Sequence, residues 1–299
     1  MHVIPNLFIV GAPKCGTTSL HYYLNQHPDI FLCEPKEPNF FNTDIKRSSR
    51  ISKEEYFSLF EEAKEKYIGE ATPLYLMSKE APINIKKTSP DAKIIIAIRR
   101  PADLIFSAFH QNKYNLVEEA TTLEEALAEE PERAKNLKST KTGEPVDRLI
   151  YSRFVDFSTQ IQHYIKAFGR DQVHVIIFDE LKLNTKKEVL KVFDFLGVRK
   201  DVPINYSIQN AAKAHKNYVV ASILKSPPAL ISKIGRFLFS PETRRKLYLL
   251  IKNVNTDDAK KPKLNPQTDK LLTERYKPEI EKLESLLNRD LSGWKISKP

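Results

Sequence analysis

The sequence predicts an α/β fold: a P-loop-like open parallel β-sheet flanked by helices on both faces. Three observations predict it. The runs LFIV (7–10), KIIIAI (93–98) and VHVIIF (173–178) are short, apolar and nearly uncharged, as strands buried on both faces are. Stretches of helical periodicity separate them, so strands and helices alternate. The first run enters a glycine-bracketed loop, GAPKCG (11–16), that opens into a helical pattern.

Each element has its own justification. TTSLHYYLNQH (17–27) follows the loop as a helix, and IFLC (30–33) and YIGEA (67–71) are two weaker strand candidates. PADLIFSAFHQNKY (101–114) follows the second apolar run, with Pro101 suited to a first helical turn. YSRFVDFSTQIQHYIKAFG (151–169) precedes the third run, and KKEVLKVFDFLGV (186–198) reads as a helix ending at Gly197. Residues from about 118 to 148 change character. EEATTLEEALAEEPERAK is acidic and helix-prone, with Thr121 or Thr122 as its N-cap, and a polar, turn-rich stretch follows. This segment reads as an insertion, either a substrate-side excursion or a solvated helix and linker. Residues 219–246 alternate apolar and basic groups; an ordinary packing element is the favoured reading, and a peripheral membrane contact is the other. The 299 residues suffice for one large α/β domain, and the whole of 1–299 is read as one.

The net charge is +10 and the pI about 9.3, which suits a polyanionic or phosphorylated partner, or a generally basic surface. Two cysteines, Cys15 and Cys33, make no disulfide framework, and no CxxC or HExxH spacing offers a zinc site. MHVIPNLFIV lacks the layout of a signal peptide, and no run of 18 uncharged apolar residues occurs, so a cytoplasmic location is expected.

The chain has only eight glycines, and Gly11 and Gly16 bracket one loop. Such a loop turns its N–H groups inward, and the helix from Thr17 adds its unpaired N–H groups and positive dipole end. Thr17 and Thr18 add hydroxyls and Lys14 a mobile charge, so the loop suits a phosphate. A triphosphatase would instead need lysine where Thr17 stands, and an acidic strand end for magnesium. The second run ends in Arg99-Arg100-Pro101, where open sheets bind ligands. Arg99, with Ser107 two helical turns on, makes a second phosphate pocket. Two such pockets on one sheet imply a nucleotide phosphorylated at two positions.

This pair of motifs resembles the sulfotransferase superfamily, whose donor is 3'-phosphoadenosine 5'-phosphosulfate (PAPS). The similarity covers nearly the whole chain; PKEPNFF (35–41), GEATPLYL (69–76), FDELKLNTKKEVLKVFDFLGV (178–198) and LLNRDLSGW (286–294) look like its carbohydrate-type and bacterial branch. The resemblance implies that Lys14, Cys15, Gly16, Thr17, Thr18 and Ser19 hold the 5'-phosphosulfate. Arg99 and Ser107 would hold the 3'-phosphate, and Lys213 and Lys216 would lie on the adenine-side loop, where the family often carries Pro-Arg. Leu104 stands where a second arginine is common. Lys14 would stabilise charge on the leaving phosphate. Glu37 would act as base if burial beside Phe40 and Phe41 raises its pKa; pairing with Lys36 or Lys14 is the plainer reading, and His110 is the second candidate base. Glu70 could bind acceptor or shape its loop. The expected partners are PAPS and a hydroxylated acceptor, with no metal and no nucleic acid. The alternatives are a kinase-like P-loop phosphotransferase and a non-catalytic anion-binding module.

Overall fold

A computed structural model describes residues 2–46, 50–136, 140, 144–207, 213–225, 237, 239–258 and 263–298. Five parallel strands form the central sheet: β1 (Leu7–Gly11), β2 (Ile30–Leu32), β3 (Tyr67–Ala71), β4 (Lys93–Ile98) and β5 (Val173–Ile177), in the order β2-β3-β1-β4-β5. All five sequence-predicted strands are present. In β1 every residue is buried and in β4 every residue but Lys93, which is why these runs carry no polar alternation. The registers pair Leu7 with Gly69 and with Lys93, and Ile94 with Val173. Because β1 is central, with later strands laid on both sides of it, its carboxyl end lies at the switch point where open sheets bind ligands.

Helix α1 (Thr17–Leu24) follows β1, α2 (Lys53–Ser58) and α3 (Ala81–Thr88) flank β3, and α4 (Pro101–Tyr114) follows β4. Pro101 sits in the first turn of α4, where its missing N–H costs nothing. Helix α5 (Leu123–Lys135) is opened by Thr122, which forms a capping box with Glu125. Then come α6 (Phe157–Phe168), α7 (Phe178–Leu183) and α8 (Thr185–Leu196), the last closed by Gly197 in the left-handed region. Phe178, expected at the end of a strand, instead begins α7. A two-stranded antiparallel sheet that the sequence reading did not foresee pairs β6 (Lys213–His215) with β7 (Thr256–Asp258). The helices α9 (Tyr218–Lys225) and α10 (Pro241–Val254) lie between them, and α11 (Pro266–Leu287) buries Leu272, Tyr276, Ile280, Leu283 and Leu287 along one face, against α4 and α6.

The acidic segment from Glu118 to Lys135 is not merely a solvated helix. Glu118 is buried, accepts from both terminal nitrogens of Arg133 at 2.7 Å and from Tyr151 at 2.8 Å, and so ties α5 to the turn before α6. Part of the 219–246 segment lies outside the described residues. An ordinary packing element holds at buried Ala221 and fails at Ile223, Phe237 and Phe239, which are exposed. Among the described residues no helix is long and apolar enough to cross a membrane. Cys15 and Cys33 are both buried free thiols.

Candidate active site

The loop between β1 and α1 is shaped by close contacts that only glycine permits. A Cβ on Gly11 would stand 2.4 Å from the Leu76 Cβ, and one on Gly16 would stand 3.0 Å from the Phe178 ring. Gly16 also caps α1 in the left-handed region and covers none of its first-turn N–H groups with a side chain. With no acidic residue in that turn, the positive end of α1 is left for an anion. Thr17 is buried there, and Thr18 and Ser19 are half-buried. Cys15 has an inward role. Its N–H donates to the Ala12 carbonyl and its thiol to the Pro13 carbonyl; burial pushes the thiol up to about 12, against the pull of Arg99 and Lys14.

Lys14 has a left-handed backbone (φ 65°), and its ammonium donates to the Gln111 Oε1 at 2.8 Å. Gln111 was not singled out from the sequence, although it lies one helical turn after Ser107 on α4, the spacing that places two side chains on one face. Lys36, foreseen only as a partner for Glu37, also reaches the start of α1. Its Nζ lies 3.4 Å from the Thr17 hydroxyl, 3.5 Å from that of Thr18 and 3.2 Å from the Glu37 Oε1. The loop of residues 35–41 therefore closes over the start of α1 and brings Glu37 with it.

Of the two readings of Glu37, the pairing with Lys36 is the one found and the burial is not. Its side chain is 41% exposed and paired with Lys36, because Phe40 and Phe41 turn inward. Phe40 stacks on Tyr56 at 4.2 Å, and Phe41 meets Tyr75 edge-on at 5.9 Å. Glu37 and Asn39 both have left-handed backbones, at φ 66° and 55°. For residues other than glycine such a conformation costs on the order of 1–3 kcal/mol and persists only where surroundings impose it.

At the end of β4 two adjacent arginines part to opposite sides, as strand geometry requires. Arg99 lies with its guanidinium carbon 5.1 Å from the centre of the Phe178 ring, the same ring that touches Gly16. Phe178 thus links the glycine loop to Arg99. The Arg99 Nε is buried and has no hydrogen-bond partner among the described residues. Arg100, by contrast, is wholly engaged. It pairs with Asp269 at 2.6 and 2.8 Å, reaches Asp103 and Thr273, and donates to the carbonyls of Trp294 and Ile296. The Trp294 indole donates to Asp179, next to Phe178, so the final segment braces both walls of the Arg99 corner.

Ser107 is half-buried on α4. Leu104 is buried in the core. His110 is half-buried, edge-on to Phe106 and Phe109 at 4.4 and 5.3 Å, and burial holds its imidazole below the usual range. Its neighbour Gln111, not His110, meets Lys14. The β6 strand, with Lys213, packs beside α4, and Lys216 is exposed, its N–H held by the Asn255 carbonyl. Asn210 to Ala212, the start of the expected adenine-side loop, lie outside the described residues. Among the described residues no group of three or more His, Cys, Asp or Glu could hold a metal ion.

The model of the sulfotransferase domain matches residues 5–226, well over half of the chain. The chain belongs to the sulfotransferase domain family. It is similar to heparan sulfate glucosamine 3-O-sulfotransferase 6 of Homo sapiens, with 28% identity over 211 residues, covering 70% of this chain and 57% of that protein. The membrane-associated sulfotransferase kil1 of Dictyostelium discoideum is 32% identical over 107 residues, 36% of this chain and 23% of its own length. The chain thus spans less than two thirds of these curated relatives. Among solved structures, a sulfotransferase from Alicyclobacillus acidocaldarius matches 98% of this chain and 100% of its own, with a TM-score of 0.73 and 27% identity.

Proposed function

We propose that this sulfotransferase, as a single domain over 1–299, carries a sulfuryl group from PAPS to a hydroxyl, less readily an amine, of a carbohydrate, lipid or small-metabolite acceptor. One observation carries the reading. The Arg99 guanidinium, with a buried Nε that lacks a partner among the described residues, lies on the ring that supports Gly16, so two anion-binding corners share one wall. An orphaned buried donor costs about 1–3 kcal/mol and is retained where a ligand completes it. PAPS fits this donor set and supplies a sulfuryl group already activated on a phosphate.

The first-turn N–H groups of α1, with Thr17 and Thr18, hold the 5' end, and Arg99 with Ser107 holds the 3'-phosphate. Lys14 stabilises charge on the departing phosphate, and Gln111 keeps its ammonium on the α4 side of the loop. Glu37, exposed at the loop mouth, takes the acceptor proton, and His110 stays the second candidate base. Lys213 and Lys216 cover the adenine side, the 118–148 insertion borders the acceptor, and the enzyme works in the cytoplasm without metal.

Radiolabelled PAPS incubated with a panel of sugars, lipids and small alcohols in chelator tests this. Sulfated product is expected from the parent, and at least about 100-fold less from Lys14→Ala or Glu37→Gln. Phosphate transfer from MgATP instead would support the kinase-like alternative. Salt-sensitive binding to anionic polymer with no turnover would support the binding module.

A further inference from the structure

Glu70, the penultimate residue of β3, is fully buried, and among the described residues the groups bonded to its carboxylate are all hydroxyls. The hydroxyls of Tyr56 and Tyr75 donate to Oε1 at 2.7 and 2.9 Å, and that of Thr72 to Oε2 at 2.5 Å. Tyr75 does more than complete the carboxylate. Its oxygen also accepts the backbone N–H groups of Phe40 at 2.9 Å and Phe41 at 3.2 Å. A phenol has one proton to give and two lone pairs to fill. With both lone pairs taken by loop N–H groups, the Tyr75 proton needs an acceptor on its other side, and Glu70 is that acceptor. The held loop carries left-handed Glu37 and Asn39, and Lys36 within reach of Thr17 and Thr18.

We propose that Glu70, acting through Tyr75, is a positioning residue that fixes the Lys36–Phe41 loop and so sets Lys36 and Glu37 over the start of α1. The inference rests on the reading of that loop as part of the active site. Burial pushes the Glu70 carboxyl up to about 7, so a proton on it is tolerated near neutral pH. A protonated carboxyl can give its proton to Thr72 while Oε1 still accepts both phenols. An amide oriented the same way would do likewise, so the role asks for shape and an accepting oxygen, not for charge.

That separates positioning from chemistry. Tyr75→Phe, which frees the two loop N–H groups, should lower kcat about 10–100-fold, the scale of a catalytic group misplaced by an ångström or less. Its KM for PAPS and its affinity for PAP, the nucleotide product, should stay within about twofold, because Gly16 and Arg99 are untouched. Tyr56→Phe removes a hydroxyl from the same carboxylate but keeps the ring on which Phe40 stacks, and it should cost kcat no more than about threefold. Glu70→Gln should rescue the role, with kcat within about threefold of the parent, and it stays informative if Tyr75→Phe does not fold. Parental kcat in Tyr75→Phe, an equal loss in Tyr56→Phe, or a loss beyond tenfold in Glu70→Gln would each overturn the proposal. Glu37→Gln assayed beside them keeps the two readings apart. If it is active while Tyr75→Phe is impaired, the base assignment fails and the clasp stands; if it is dead while Tyr75→Phe is parental, the clasp alone fails.

Discussion

Replacing Arg99 with alanine should separate ligand binding from folding. Among the described residues the guanidinium has an unpartnered buried Nε, and its packing contact there is the Phe178 ring at 5.1 Å. The orphaned donor costs the free protein about 1–3 kcal/mol, while the cation–π contact returns about 0.5–2 kcal/mol. These oppose each other, so the unfolding free energy of Arg99→Ala should stay within about 1 kcal/mol of the parent. Binding is different, since a charge-assisted hydrogen bond to phosphate is worth about 1.5–3 kcal/mol, or about 10–100-fold in affinity. PAP, which has a 3'-phosphate, should lose that much in titration calorimetry. AMP, which has none, should change less than about threefold. Equal losses for PAP and AMP would refute the placement of the 3'-phosphate at Arg99, and a large loss of stability would refute the stored-donor reasoning.

Other outcomes follow from the same contacts. Lys14→Ala should lower kcat about 10²–10³-fold in the labelled-transfer assay, with PAP affinity falling far less, since the lysine acts on charge that grows during transfer. Asp269→Asn strips the main counter-charge from buried Arg100 and should cost about 3–5 kcal/mol in urea unfolding; a loss below 1 kcal/mol would show that Asp103 and the carbonyls suffice. Glu70 adds a pH dependence of known sign. Burial raises its carboxyl from 4.5 to about 7, so the folded protein holds a proton that the unfolded chain releases earlier. Its contribution to stability is greatest below pH 4.5 and is lost as pH rises through 7, a change of about 3 kcal/mol at 1.36 kcal/mol per unit. Denaturation of parent and Glu70→Gln across pH 4.5–8 should show the parent losing that much relative to the variant, and a constant difference would contradict it.

The sheet was legible because buried parallel strands need uninterrupted apolar runs, and LFIV, KIIIAI and VHVIIF had few other uses in a chain this charged. The loop was legible because glycine is scarce and two of eight stand five positions apart. What stayed hidden depends on contacts distant in sequence. Lys36 meets Thr17 and Thr18 only because the loop after β2 folds back over α1, and Arg100 meets Asp269 across 169 positions. The acidic run near residue 118 read equally well as solvent-facing because the partner of buried Glu118, Arg133, lies 15 positions on, in the last turn of α5. At Glu37 the pairing with Lys36 was legible, and the exposure was not, for a local reason. Neighbouring phenylalanines suggest burial of the carboxylate, yet left-handed turns at Glu37 and Asn39 send the rings into the Tyr56–Tyr75 cluster and the carboxylate outward. Gln111 could have been found, since it follows Ser107 by one turn of a helix predicted over 101–114.

Titration calorimetry of the parent protein with PAP, AMP and ATP in chelating buffer tests the shared-wall site most directly. PAP should bind at least tenfold more tightly than either AMP or ATP, with one nucleotide per chain. Binding of ATP as tight as that of PAP, or heat from ATP only once magnesium is restored, would contradict a site built for phosphates at both ends of an adenosine.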